Sequence, residues 1–473
     1  MKKVKGICLI LCFVLLLTVF PMAANADQNA SVSDGCHSVD ALKPLDGNQK
    51  MLDSAKAVML YERKSGTMIY SYNPDSRVDP SSMVKLMTAL IAVETLDLQE
   101  VAIVSRAALD HVGIGVVSVK PRFSRGEELT IESLLYCMVA ASDSDSAAVI
   151  AEHIAGSQEA FVYMMNQRAL ELGCTDTNFT NAHGLYDENA YTTVRDICRI
   201  IDFALENEAF RTIFMAKSYT VPATNKCENV REVLTTNWMM SKDYTSRYYD
   251  ARVTGGKTGT DGSGGRCLAV TAEDNGMEML AVVMGAQPVY NEEDPNILDA
   301  FGSFEEMKML LDRASDTYEY RQVFYEGQTF SQYPVTNGAN NVVTTPANGA
   351  AAVLPIGTES NELRWVYGTA PDSLTAPITA GQKITYIEIW YQDLCSARTD
   401  LWAINDVDIY TAPVEPELKE NILLEEGGKV FLVILGVIAG LAILLAIVMV
   451  VIRQVRIRSM RARRRRRNHR RGY

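Results

Sequence analysis

Apolar and polar residues are distributed along this chain in three textures, and each predicts a different kind of element. Ile7 to Phe20 is an unbroken apolar run behind Lys2, Lys3 and Lys5, while residues 28–50 are polar and turn-rich. Ala55–Tyr61 and Thr67–Tyr72 are short apolar-rich segments on either side of Lys64-Ser65-Gly66, which predicts a β-hairpin. The period then lengthens. Ile131–Ala141, Ser146–Ala155, Gln158–Leu172 and Val194–Leu205 repeat apolar residues at three and four positions, the spacing of one helix face. Strands return at Cys267–Ala272 and Met277–Met284, which flank Asp274-Asn275-Gly276. Asn-Gly tolerates the positive φ that a tight turn demands, so this pair reads as a second hairpin. An amphipathic helix with Ile297, Phe301, Phe304, Met307 and Leu311 on one side closes the pattern. Strand, helices and strand in that order predict an antiparallel sheet whose N- and C-terminal strands pair, an α/β fold of the α+β type. Past Arg313 the texture becomes short alternating runs such as Thr385–Trp390 between Gly, Asn and Pro clusters, as in a small all-β domain.

The two ends set the compartment. The apolar run behind the leader lysines ends at Ala24-Asn25-Ala26, small residues at the cleavage positions of a secretory signal peptide, so the mature chain is expected to begin near Asp27. Val430–Ile452 contains no charge and no proline, which suits a transmembrane helix. The expected organisation is therefore a signal peptide at 1–26, a spacer at 27–50, a main domain at 51–313 and a β-rich domain at 314–414. A linker at 415–429, a span at 430–452 and a basic cytoplasmic tail at 453–473 complete it.

Charge narrows the partners. The tail carries 11 arginines and no acidic residue, and arginines abutting a span mark its cytoplasmic side, so the body is expected outside the cytoplasmic membrane. The formal net charge is −13; without the tail and the leader lysines, residues 27–429 carry about −27. So acidic a body is a poor surface for polyanions, and no nucleic-acid partner is expected. Of nine cysteines, Cys8 and Cys12 lie in the leader. The seven others form an odd set without close pairs, which argues against a disulfide framework and a zinc cluster. His37, His111, His153, His183 and His469 supply no metal-ligand spacing, so neither a metal nor an organic cofactor is expected.

Three short strings carry the candidate chemistry. Ser82-Met-Val-Lys85 follows Pro80-Ser81 and opens an apolar helix, which places Lys85 one turn after Ser82 on the same face. At a helix N-terminus the backbone N–H groups favour a developing oxyanion. Ser142-Asp-Ser144 lies where one helical pattern ends and another starts, where an N-cap cluster alone accounts for such residues. Gly255-Gly-Lys257-Thr-Gly-Thr260 contains the Gly-Lys-Thr of a phosphate-binding loop. That signature also needs glycine six residues before the lysine, where this chain has Ala251, and a helix afterwards, where it has glycines and then a strand.

Together, Ser-x-x-Lys, a Ser-x-Asn-like element and Lys-Thr-Gly resemble the set found in class A β-lactamases and penicillin-binding proteins. The whole is similar to a serine-type D-alanyl-D-alanine carboxypeptidase of the low-molecular-mass penicillin-binding group. The likeness extends to Ser54-Ala-Lys-Ala57, Gly126-Glu-Glu-Leu129, Ala151-Glu-His-Ile154 and Asn181-Ala-His-Gly-Leu185, and to the β-rich domain. It implies a transpeptidase-like fold with an antiparallel sheet and a helical subdomain. It also implies peptidoglycan stem peptides as substrate and β-lactam antibiotics as acylating inhibitors. By that resemblance Ser82 is the nucleophile, Lys85 its base and Ser142 the proton relay. Lys257 and Thr258 hold the substrate carboxylate, Ser144 contacts substrate, and the N–H groups of Ser82 and Thr260 form the oxyanion hole. One position departs from the family pattern: Ser144 stands where asparagine is usual. A hydroxyl is shorter and offers one donor, and losing a donor costs about 1–3 kcal/mol. A retuned enzyme is therefore expected, with a non-catalytic wall-binding protein or a β-lactamase as the alternatives.

Overall fold

The computed structural model describes residues 54–113, 117–243, 246–290, 298–368, 374–412 and 420–468. The first hairpin joins β1 (Ala57–Glu62) to β2 (Thr67–Tyr72) in antiparallel register. The buried carboxylate of Glu62 closes it by accepting from the backbone N–H groups of Lys64 (3.2 Å) and Ser65 (2.7 Å). The second hairpin lies near the other end of the domain. It is preceded by β3 (Val253–Thr260) and consists of β4 (Arg266–Asp274) and β5 (Met277–Ala286). Asn275 and Gly276 make its turn at φ +49° and +77°. Strand β1 pairs antiparallel with β5, so segments more than two hundred residues apart close one sheet of order β2-β1-β5-β4-β3.

Both faces of that sheet are covered, which explains why its strands read as nearly continuous apolar runs. On one face Met59, Leu280 and Val282 pack with Leu86, Met87 and Leu90 of α1 (Val84–Thr95). Helices α2 (Ile131–Val139), α3 (Ser144–Ala155), α4 (Gln158–Glu171) and α5 (Val194–Ala204) contribute to the same core. Every residue of α1 from Val84 to Ala92 is buried, as its all-round apolar sequence requires. On the other face Val58, Leu60 and Val270 meet Phe304, Met307, Leu310 and Leu311 of α6 (Gly302–Thr317).

That last helix differs from the sequence expectation at both ends. It starts only at Gly302, because Leu298–Ala300 is extended and Phe301 is the residue flanking the first turn; Ile297 lies outside the described residues. It continues through Thr317, with Leu311 and Ala314 still buried, so a domain boundary at Arg313 would cut it.

The β texture begins at Tyr318. Tyr318–Phe324 pairs with Ala350–Pro355, and five further strands form an antiparallel sheet in which Leu394–Ala403 and Lys383–Tyr391 are central. Ile387, Ile389, Ala397 and Leu401 are the centre of this smaller core. Cys395 is disulfide-bonded, and the five other described cysteines are free.

From Tyr410 the chain forms a separate compact unit. Its helix α7 spans Glu420–Asn468, and Gly427–Arg461 within it is long and apolar enough to cross a membrane. The helix begins inside the segment read as a linker at 415–429 and continues into the basic tail. From Glu420 onward neither stretch contains proline, and the pair Gly427-Gly428 alone does not end the helix.

Candidate active site

Ser82 sits in a 3-10 turn, Ser81–Met83, that feeds directly into α1. Asp79 holds this turn in place: Oδ1 accepts from the Ser81 N–H (2.8 Å) and Oδ2 from the Gly262 N–H (2.7 Å). One carboxylate thus ties the Ser81–Met83 turn to the turn between β3 and β4. The approach is close enough to explain the glycine of Lys-Thr-Gly. A Cβ on Gly259 would lie 2.2 Å from Ser81 Oγ and 3.3 Å from the Ser82 nitrogen.

Lys85 Nζ lies 3.2 Å from Ser82 Oγ, as the i,i+3 spacing predicts. The side chain is only 1 % exposed, and its ammonium nitrogen also donates to the carbonyl of His183. Burial lowers its pKa from 10.5 to about 7, against the opposing pull of the Asp143 carboxylate. The loop that delivers the His183 carbonyl folds around Asn181, whose Oδ1 accepts from the N–H groups of His183 (3.2 Å) and Gly184 (2.6 Å). Thr88 Oγ1 anchors the same loop by donating to the Ala182 carbonyl (2.7 Å). His183 serves through its backbone. Its ring faces His111, with Nε2 and Nδ1 3.2 Å apart, and burial, Lys85 and His111 hold its pKa down to about 3.

The second motif does two jobs. Asp143 is the N-cap of α3: its Oδ2 accepts from the Ser146 N–H (2.7 Å) and hydroxyl (2.5 Å), and its Oδ1 accepts from the Val119 N–H (2.9 Å). Asp145 makes a bidentate pair with Arg122, at 2.6 Å to each of Nε and Nη2. These anchors hold Ser142 at φ +60°, a conformation an ordinary residue rarely adopts. Its hydroxyl stands 3.2 Å from Ser82 Oγ. The N-cap account is therefore correct for Asp143, and Ser142 is held within hydrogen-bonding distance of Ser82.

Lys257 is fully buried. Its Nζ donates to Ser142 Oγ (2.7 Å) and to the Thr258 carbonyl (2.8 Å), and burial together with Lys85 holds its pKa well below the ordinary lysine value. A cavity of about 400 Å³ opens over these groups. Ser82, Lys85, Ser142, Ser144, Thr258 and Thr260 line it, but Lys257 does not. The wall also includes Thr236, Trp238 and Arg266, which the sequence reading did not single out, and Phe301 and Phe304, which it assigned only to a helix face. Thr236 Oγ1 lies 2.5 Å from Thr258 Oγ1, and no periodicity or motif marks it in advance. Among the described residues no three histidine, cysteine or carboxylate side chains converge as a metal site requires.

Residues 47–288 match the family model described as D-alanyl-D-alanine carboxypeptidase. The chain belongs to this family. Residues 318–408 match a second model, the C-terminal domain of penicillin-binding protein 5. D-alanyl-D-alanine carboxypeptidase DacF of Bacillus subtilis is 27 % identical over 374 residues, covering 78 % of this chain and 86 % of the relative. DacC of Escherichia coli is 26 % identical over 350 residues, covering 71 % and 79 %. The crystal structure of penicillin-binding protein 5 from Haemophilus influenzae shares the fold, with a TM-score of 0.62 at 24 % identity over 76 % of this chain and all of that one. In this carboxypeptidase family member, then, the sequence-predicted serines and lysines converge on one cavity wall and the layer beneath it.

Proposed function

We propose that the protein is a serine-type D-Ala-D-Ala carboxypeptidase that acts through an acyl-enzyme on Ser82 and removes the terminal D-alanine of peptidoglycan stem pentapeptides. The observation that carries this reading is that Ser82 Oγ lies 3.2 Å from both Lys85 Nζ and Ser142 Oγ at the floor of an open cavity. A lysine with a pKa of about 7 is substantially neutral at neutral pH, and only then can it take a proton.

Ser82 Oγ attacks the carbonyl carbon of the penultimate D-alanine while its proton passes to Lys85. The backbone N–H groups of Ser82 and Thr260 hold the resulting oxyanion. Collapse breaks the amide C–N bond, and the departing D-alanine nitrogen receives its proton through Ser142. Lys257 polarises Ser142 from beneath and keeps the relay oriented. Water then attacks the ester carbonyl and gives its proton to Lys85; the ester C–O bond breaks, and Lys85 returns that proton to Ser82 Oγ.

The body acts on the extracytoplasmic face of the bacterial cytoplasmic membrane, anchored by a single pass through α7 with its arginines on the inside. Curated relatives named as carboxypeptidases weigh against both the non-catalytic wall-binding reading and a β-lactamase. The test is intact-protein mass spectrometry of the detergent-solubilised chain, wild type and Ser82→Ala, after exposure to penicillin and to a peptide ending in D-Ala-D-Ala. A penicillin adduct and free D-alanine, both confined to wild type, are expected. An adduct that persists in Ser82→Ala would sink the assignment.

A further inference from the structure

We propose that His111 is a positioning residue for acylation: by binding the ring of His183 it holds in place the backbone carbonyl that receives Lys85. The proposal rests on Ser82 being acylated with Lys85 as its base. Lys85 Nζ donates to the His183 carbonyl as well as to Ser82 Oγ, so drift of that carbonyl moves the base. The bonds of Asn181 fix the shape of this loop but not its place. Their partners, the His183 and Gly184 N–H groups and the Leu185 carbonyl, all lie in the loop itself. Its place is set by contacts with other elements. Thr88 of α1 donates to the Ala182 carbonyl, and His111 meets the His183 ring from the helix Arg106–Val112.

The pair holds together in one protonation state. His183 Nδ1 accepts from the Leu185 N–H at 3.3 Å, so the ring proton of His183 sits on Nε2 and points at His111 Nδ1, 3.2 Å away. The His183 ring is buried, and with its pKa held down to about 3 it stays neutral. His111 must therefore offer a bare Nδ1, which it has only while neutral. A second proton on His111 sets two donors against each other, or turns the His183 tautomer and strands the Leu185 N–H. His111 is exposed, so that proton exchanges with solvent. Its helix is anchored independently: Ser105 Oγ accepts from the Ala108 N–H (2.9 Å) and donates to Glu152 of α3 (2.7 Å). Of the charged groups around His111, Arg106 and Asp110 pair with each other (3.1 Å), Glu152 is engaged by Ser105, and Glu159 on α4 is within electrostatic reach. Glu159 favours the charged form of His111, the form that releases His183.

The experiment measures acylation of Ser82 by benzylpenicillin between about pH 8 and pH 5, the range in which imidazoles ordinarily change charge, in the detergent-solubilised full chain. Wild type is compared with His111→Leu and His111→Asn. An asparagine carbonyl oxygen stands roughly where the imidazole Nδ1 does and accepts a hydrogen bond throughout this range. At the alkaline end His111→Leu should be about two- to tenfold slower than wild type, the scale of one neutral hydrogen bond, and His111→Asn should recover most of that loss. Towards acid all three slow as Lys85 gains its proton. The ratio of wild type to His111→Asn should nevertheless fall by about two- to tenfold across the range, because only wild type also loses its acceptor, while the ratio of His111→Leu to His111→Asn stays constant. A wild-type-to-asparagine ratio independent of pH overturns the proposal, as does a His111→Leu rate equal to wild type at the alkaline end. An equal loss in both variants at every pH also overturns it, marking the imidazole as packing alone. Failure of wild-type Ser82 to react at any pH would instead overturn the Ser82 assignment on which it rests.

Discussion

Lys257 Nζ donates to Ser142 Oγ at 2.7 Å, and Ser142 Oγ stands 3.2 Å from Ser82 Oγ, so the third motif reaches Ser82 through the second. Replacing Lys257 with methionine should slow acylation about 10–100-fold, the scale of a lost hydrogen bond to a charged group of about 1.5–3 kcal/mol. Because Lys257 is not part of the cavity wall, the apparent affinity for substrate should change less than the rate. Stopped-flow acylation that separates the binding constant from the rate checks this; a change confined to binding would count against the relay.

Lys85 predicts the pH profile. Its pKa is lowered from 10.5 to about 7, so acylation should rise as pH passes through about 7 and then level off. Stability follows the same sign. Between about 7 and 10.5 the unfolded chain binds a proton that the folded chain does not, so this residue's cost to the fold diminishes as pH rises across that window. Lys85→Met should abolish acylation and raise the melting temperature of the main domain at neutral pH. A variant no more stable than wild type would refute the buried-amine account.

Ser144 stands at the cavity wall where the family pattern has asparagine. Ser144→Asn restores a longer donor, and a gain of about tenfold in acylation by a D-Ala-D-Ala peptide is expected, from roughly 1–3 kcal/mol per hydrogen bond. An unchanged or lower rate in a steady-state assay of D-alanine release would show that this chain has adjusted to serine.

Away from the cavity, Arg231 and Glu127 form an ion pair at 2.8 Å in which the side chains are 1 % and 0 % exposed. Glu127 also accepts from Thr224 Oγ1 (2.7 Å) and the Ser124 N–H (2.9 Å), and Arg231 Nε donates to the Pro121 carbonyl (2.9 Å). Glu127→Ala strands a buried guanidinium and should cost about 3–5 kcal/mol in denaturant unfolding. A loss below about 1 kcal/mol would mean that water reaches the pair.

Gly184 has φ +74°, and a Cβ there would lie 2.0 Å from the Ser81 carbonyl oxygen. Gly184→Ala must therefore displace either the Ser81–Met83 turn or the loop that carries the His183 carbonyl. Acylation should fall by at least about tenfold, the effect of a small misplacement at a reacting centre. Wild-type acylation in this variant would show that the loop yields without cost.

The hairpins and helices were legible because their cause is local. The short apolar run Thr67–Tyr72, the Asn275-Gly276 turn and the three-and-four spacing of Val194–Ala204 each reflect the geometry of a few consecutive residues. The start of α6 was misread for the complementary reason: Phe301 continues the apolar stripe in sequence, yet its ring is needed beside Trp238 and Arg266, and the helix begins after it.

The sequence by itself determined that Ser82 and Lys85 share one helical face, since three residues of helix bring them together whatever the rest of the chain does. It also determined the apolar run of α7 and the basic tail, which depend on composition alone. Only the tertiary structure decided that Ser142 and Lys257, 60 and 175 residues beyond Ser82, meet at that serine, and that Lys257 lies beneath the wall while Arg266 stands on it. Those placements depend on pairing strands β1 and β5 across the length of the domain and on burying both faces of the sheet, and no short window of sequence contains the partner that a buried charge will find.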